Sequence, residues 1–184
     1  MKIDQLVDKN CRVAIVGNGG SLRNSKKGTT IDAYDVVIRF NNFRSGGDYV
    51  HDVGCKVNIW CNTFCDDIID RDFDKILCPL PLNISKWVTR YSSTSIKNLK
   101  KHASHTAFIP EEIFSAVVNI HDTPSTGLCL VYWMLESGYK LKRQDLFGFD
   151  HFNPSYDHHY FNDHSRCTHT TSEQETFNIL FNEC

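Results

Sequence analysis

Four stretches of this chain combine residue types and spacings that could do chemistry. Gly17-Asn18-Gly19-Gly20-Ser21-Leu22 follows a β-branched run. In an open α/β sheet a nucleotide sits at the carboxyl end of such a strand, where glycines let backbone N–H groups approach an anionic ligand. The third glycine of a dinucleotide fingerprint is replaced here by Leu22. The next strand ends in Arg39-Phe40-Asn41-Asn42 rather than in an acid that would hold a ribose. A tight turn that simply needs glycine therefore stands beside the nucleotide reading. Thr123-Pro124-Ser125-Thr126-Gly127 opens a helix. Free N–H groups and the dipole make that end an anion site, and Ser125 and Thr126 add hydroxyls; Ser and Thr also serve there as plain caps.

The third stretch holds five histidines between 151 and 169, namely His151, His158, His159, His164 and His169. Their spacing fits no zinc pattern, and Cys167 is the only nearby thiol. A polar surface loop is one reading and acid–base work the other. His169 lies just before a helix start, where the positive dipole end disfavours imidazolium and keeps the ring available as a general base. Glu173 and Glu175 are close enough in sequence to orient it. The fourth stretch, Asp70-Arg71-Asp72-Phe73-Asp74, contains D-x-D. With 22 acids in 184 residues such matches arise easily, and it reads as a surface acidic cluster.

Positioning these groups requires strands and helices in alternation. Strands are predicted over 12–16, 35–40, 56–60, 75–78, 106–109 and 141–149. One helix is predicted from Thr123-Pro124-Ser125 to Ser137-Gly138, with Leu128, Val131, Tyr132 and Leu135 at helical spacing. Another is predicted from about Ser172 to Phe181, opened by a Ser172–Glu175 capping box. The pattern predicts a single α/β Rossmann-like domain over 1–184, a mainly parallel sheet flanked by helices. Residues 150–168 lack periodicity and read as a long loop of the kind that carries function.

Composition narrows the function classes. The chain has 184 residues, 41% hydrophobic and 23% charged, ordinary for a globular domain. Its 20 basic and 22 acidic side chains leave a formal charge of −2, which argues against a protein built mainly to bind nucleic acid. No run approaches the roughly 20 apolar residues of a transmembrane helix, and the N-terminal residues read as neither signal nor anchor. The eight cysteines are therefore expected to be mostly buried thiols rather than a bridge framework.

In order, these pieces resemble the sialyltransferase family, glycosyltransferase family 29. Cys11 to Leu22, continued by Ile31-Asp32 and Asp35 to Asn41, resembles the family's large motif. Pro124-Ser125-Thr126-Gly127-Leu128 and Leu146-Phe147-Gly148-Phe149 resemble its small motif. His158-His159-Tyr160-Phe161-Asn162-Asp163 resembles the third, and His169 with the following acids the very small motif. A more distant bacterial sialyltransferase family, family 42, shares the logic, including an Asn after the third strand, matched by Asn62.

The resemblance implies a sialyltransferase-type GT-A variant that uses no metal and no cofactor. Its donor would be CMP-sialic acid, attacked by a glycan hydroxyl with inversion. It assigns donor binding to Gly17, Asn18, Gly19, Ser21, Asn41, Asn62, Ser125, Thr126, Gly127 and Tyr160. It makes His159 the group that assists departure of the phosphate and His169 the general base. Helix ends, histidines and Arg39 would supply the positive site that net charge does not. The Glu expected five positions after the very small motif's His is here Gln174, between Glu173 and Glu175, and the pairing of Cys11 with a small-motif cysteine is not evident. The expected setting is a soluble cytoplasmic enzyme, with peripheral membrane contact if the acceptor is a glycolipid. Alternatives are a CMP-Kdo-dependent transferase of the same fold, a CMP-sugar-binding homologue without turnover, and a His-loop metalloprotein.

Overall fold

Six short apolar runs become six parallel strands because each is too apolar to leave a face in water. The computed structural model describes residues 1–65, 67–82, 92–161 and 173–182. Strands β1 (Val13–Val16), β2 (Val36–Phe40), β3 (Ile59–Cys61), β4 (Ile76–Cys78), β5 (Thr106–Phe108) and β6 (Leu146–Phe147) form one sheet in the order β5-β4-β3-β2-β1-β6. Every pairing is parallel. The predicted mainly parallel α/β sheet is what forms, with strand ends moved by one to a few residues. The late strand shrinks most, from 141–149 to two residues. A 3-10 turn at Arg143–Asp145 precedes it, and Gly148 follows at φ +66°, which takes the chain out of the sheet.

Helices cover both faces. They are α1 (Gly28–Asp32), α2 (Val50–Val53), α3 (Ser93–His102), α4 (Glu111–Ile120), α5 (Thr126–Glu136) and α6 (Glu173–Leu180). Alternate residues of β1 point to opposite layers, as the pleat requires. Val13 and Ile15 join Phe114, Val117, Leu128, Val131 and Phe177 of α4, α5 and α6. Ala14 and Val16 join Ile31 of α1 and Val53 of α2 on the other side. All four residues of β1 are at most 4% exposed, so this strand is buried on both faces.

The predicted helix at 123–138 starts three residues late. Ser125 is its N-cap, accepting a hydrogen bond from the Leu128 amide at 3.1 Å, and Gly138 ends it at φ +84°. The six described cysteines are free thiols; Cys61, Cys78 and Cys129 are buried, Cys11 and Cys65 are half-buried and Cys55 is exposed. Cys11 and Cys129 are thus unbridged.

The loop after β6 returns over the carboxyl end of β1. The amides of Gly17, Gly19 and Gly20 donate to the carbonyls of Phe147, Gly148 and Asp157 at 2.8, 3.1 and 3.1 Å. Glycine is required by that contact. A Cβ on Gly20 would stand 2.3 Å from the Asp157 carbonyl oxygen, and one on Gly19 would stand 2.6 Å from that of Gly148. The tight-turn reading therefore accounts for these glycines, because their N–H groups are spent on the protein itself. Gly20→Ala is expected to cost about 1–3 kcal/mol by forcing the 148–157 loop outward. Denaturant unfolding measures it, and an unchanged midpoint would contradict the packing argument.

Candidate functional site

The connection from β5 back to β6 makes β1 the place where strand order reverses. Chains leave β1 and β6 in different directions, and the crevice between them is where open α/β sheets bind ligands. A cleft of about 560 Å³ opens there. Its walls come from six separate segments: Gly17, Asn18 and Gly19 after β1; Phe40 and Asn41 at the end of β2; Asp67; Ser125, Thr126 and Gly127 at the start of α5; most of 148–159 after β6; and Glu173 at the start of α6.

Asn18 carries the clearest vacancy for a partner. Its Nδ2 donates to the Phe40 carbonyl at 3.3 Å, while its buried Oδ1 has no hydrogen-bond partner. Asn41 is held at φ +44°, a left-handed conformation that Asn tolerates better than most side chains. Its amide donates to the Cys61 carbonyl at 2.9 Å, and its own carbonyl accepts from Trp60 Nε1 at 2.9 Å. His159 lines the cleft with its ring stacked on His158 at 4.2 Å and near Phe161 at 4.9 Å.

Three residues assigned to donor binding from the sequence stand elsewhere. Ser21 is tied to Asp150: its amide donates to Oδ2 at 2.8 Å and its hydroxyl to Oδ1. Asn62 is 2% exposed and accepts from the Phe64 amide at 2.8 Å, shaping the turn after β3. Tyr160 is 3% exposed; its amide donates to the Asn18 carbonyl at 2.9 Å and its hydroxyl accepts from the Arg44 amide at 2.9 Å. None of the three is on the cleft wall. Tyr160 supports the site from behind, by holding Asn18. Arg39, expected to add positive charge, is also a frame residue. It is 1% exposed and donates to the carbonyls of Lys56, at 3.0 Å, and Val53. Asp70 and Asp72 of the D-x-D stretch are not on the cleft wall and accept from Lys101 Nζ at 2.9 and 2.7 Å. That is the surface cluster the sequence suggests. His169 lies outside the described residues.

The α5 N-terminus holds an internal anion. Glu173, 2% exposed, accepts from the Ser125 amide at 2.7 Å and from its hydroxyl at 2.9 Å. The first amides of a helix have no intrahelical acceptor. That of Leu128 goes to the Ser125 hydroxyl, so those of Thr126 and Gly127 remain on the cleft side. Glu175 is exposed on the same helix. Between the two acids, Glu173 is the one joined to the site.

The sequence reading missed Asp150 and His151 as site residues, although they directly follow the last strand, where open sheets bind. His151 is 7% exposed, lines the cleft and lies 4.7 Å from the Phe177 ring. Arg143 contacts its Nε2. Arginine can only donate, so Nε2 accepts and the neutral ring carries its hydrogen on Nδ1. That buried Nδ1 has no partner. Burial, then the Arg143 charge, pushes the His151 pKa down to about 4.

Two predictions follow from these contacts. Glu173→Ala should cost about 1–3 kcal/mol, because it strips a buried carboxylate from two donors. Glu175→Ala should stay within about 0.5 kcal/mol; equal effects in thermal unfolding would reverse the assignment. The folded His151 ring binds its proton less readily than the unfolded chain does. Its contribution is complete above about pH 6.5 and is lost as pH falls toward 4. His151→Phe, which keeps the ring contact with Phe177, should flatten the acid limb of a stability–pH curve by at most about 3 kcal/mol. An unchanged limb would show that His151 is not its source.

Comparison with known proteins bears on the family and the fold. The family model for glycosyltransferase family 29 (sialyltransferase) matches residues 2–182. The chain is 29% identical over 180 residues to CMP-N-acetylneuraminate-beta-galactosamide-alpha-2,3-sialyltransferase 1 of Sus scrofa, covering 86% of this chain and 50% of the relative. It is 41% identical over 66 residues to alpha-N-acetylneuraminide alpha-2,8-sialyltransferase of Xenopus laevis, covering 36% and 18%. The chain spans about half the length of the Sus scrofa relative and its human counterpart. Among solved structures, a mammalian sialyltransferase in complex with Gal-beta-1-3GalNAc-ortho-nitrophenol superposes with a TM-score of 0.56 at 19% identity, over 99% of this chain and 72% of that one. That likeness supports the six-stranded fold. The match across nearly the whole sequence means that the chain belongs to glycosyltransferase family 29, the sialyltransferase family.

Proposed function

We propose that this chain is an inverting glycosyltransferase that moves sialic acid from CMP-sialic acid to a hydroxyl of a glycan acceptor without a metal ion. One observation carries the reading. Asn18, Asn41, the Ser125–Gly127 helix start and His159 come from four separate segments and meet on one cleft at the β1/β6 crevice. The relatives' names supply the donor and the transferred sugar.

The chemistry suits these groups. The anomeric carbon that CMP leaves already bears a carboxylate, and negative charge grows on the departing phosphate as an oxocarbenium-like state forms. Fixed donors stabilise that charge best when they need not reorganise. The amides of Thr126 and Gly127 at the dipole end of α5 are such donors, and a ring N–H of His159 is another. The unpaired Oδ1 of Asn18 can accept only from a donor group, which suits a ribose hydroxyl or a cytosine amine rather than a phosphate oxygen. His169 would take the proton of the acceptor hydroxyl as general base. It precedes Glu173 by four residues, and Glu173 fixes α6 to Ser125. The D-x-D acids are engaged by Lys101, which fits a reaction run by hydrogen bonds.

Calorimetric titration with CMP, followed by product analysis with CMP-sialic acid and CMP-Kdo, tests the reading. CMP binding and transfer of sialic acid are expected. His169→Ala should lower transfer by at least about a hundredfold, while CMP affinity changes less than about threefold. Unchanged turnover would remove His169 as the base, and a preference for CMP-Kdo would replace the donor sugar.

A further inference from the structure

Arg71 sits between two acids yet is left unpaired by them. Lys101 bonds both Asp70 and Asp72, and His102 Nε2 lies 2.7 Å from Asp70 Oδ1. Arg71 turns instead onto Phe43. Its guanidinium lies 4.3 Å from the centre of that ring, and Nη2 donates to the Phe43 carbonyl at 2.9 Å. The residue after Phe43 is Arg44, whose guanidinium lies 5.8 Å from the Phe161 ring and whose backbone is gripped by the Tyr160 hydroxyl. Arg71 thus lies against Phe43, and Arg44, the next residue along, lies against Phe161. Among the described residues neither is within salt-bridge reach of a carboxylate. Burial, then the charge of Arg44, holds Arg71 below the usual arginine pKa.

The pair stands beside the cleft. Asn41 and Asp67, on the same two segments, line it. Asn42 ties these segments together, donating to the Asp67 carbonyl at 2.7 Å and accepting from the Ile69 amide at 2.8 Å. Phe161, under Arg44, is 4.9 Å from the His159 ring. Two like charges held together on aromatic faces repel, and an oxyanion between them relieves the repulsion. The planar forks of arginine match a carboxylate or sulfate and stay charged at any working pH.

We propose that Arg44 and Arg71 form a binding site for an oxyanion borne by a sugar at the mouth of the cleft. The site rests on the reading above that a sugar enters there. Two sources share this chemistry: the donor sugar's own carboxylate, and an anionic group on the acceptor.

Calorimetry on the wild type and on the Arg44→Met/Arg71→Met double variant separates them. Methionine keeps an apolar stem against the rings, and a thermal melt checks that the variant is folded. The probes are CMP, CMP-3-fluoro-sialic acid, and lactose or lactose 3′-sulfate added with CMP present. The variant should bind CMP as the wild type does and lose about tenfold in affinity for one anionic probe. Loss confined to CMP-3-fluoro-sialic acid assigns the pair to the donor, and loss confined to lactose 3′-sulfate assigns it to the acceptor. No loss for either probe, or a wild type that binds lactose and its sulfate alike and CMP-3-fluoro-sialic acid no better than CMP, overturns the site. A wild type that fails to bind CMP at all refutes the functional reading instead, and the lactose pair, repeated without CMP, still decides the arginines.

Discussion

Two residue pairs, Ile15 with Leu146 and Val16 with Phe147, join the last strand to the first. This short parallel contact is what the rest of the site depends on. Sequential strands run outward from β1 to β5, so placing β6 on the other side of β1 creates the one point where the order reverses. Gly148 then turns the chain back over the end of β1, close enough that the Gly17–Gly20 segment must lack side chains. The glycine-rich turn is shared between binding and packing, and packing takes its amides.

The cleft does not draw positive charge from the protein as a whole. Net charge is −2, and Arg39 is buried against carbonyls. What the cleft wall offers an anion is a helix start and imidazoles, set among the acids Asp67, Asp150, Asp157 and Glu173. Part of the α5 terminus is already satisfied by Glu173, whose carboxylate is to that helix what an external anion would be. This makes α6 part of the same electrostatic unit as the cleft wall formed by the start of α5. Phe177, about 6 Å of helix rise from Glu173, continues the contact into Phe149 and His151. The docking of α6 and the shape of the cleft are therefore joined through Glu173 and Phe177.

Much of the fold is legible in local pattern. Six apolar runs mark six strands because each parallel strand is buried on both faces, and Ser125 and Gly138 mark the ends of α5 by capping and left-handed backbone. α4 is not among the predicted elements, although Pro110, the Glu111–Glu112 first turn and the Phe114–Val117 face are signals that could have marked it. The site is less legible. Asn18, Asn41, Ser125 to Gly127 and His159 stand in recognisable motifs and do meet on the cleft. Ser21, Asn62 and Tyr160 stand in the same motifs and turn inward. A motif preserves the residues that frame a site as readily as those that touch a ligand, and residue type does not distinguish them.

The sequence by itself determined the class of fold, the order of the elements, the family and the residues available for chemistry, because periodicity, caps and motif order are local properties. Only the tertiary structure decided which of those residues face the cleft. It also chose Glu173 over Glu175, gave Asp70 and Asp72 to Lys101, and brought Arg44 beside Arg71. Each of these outcomes depends on contacts between segments 27 to 48 residues apart, set by how helices dock on the sheet. Spacing along the chain carries no record of that docking.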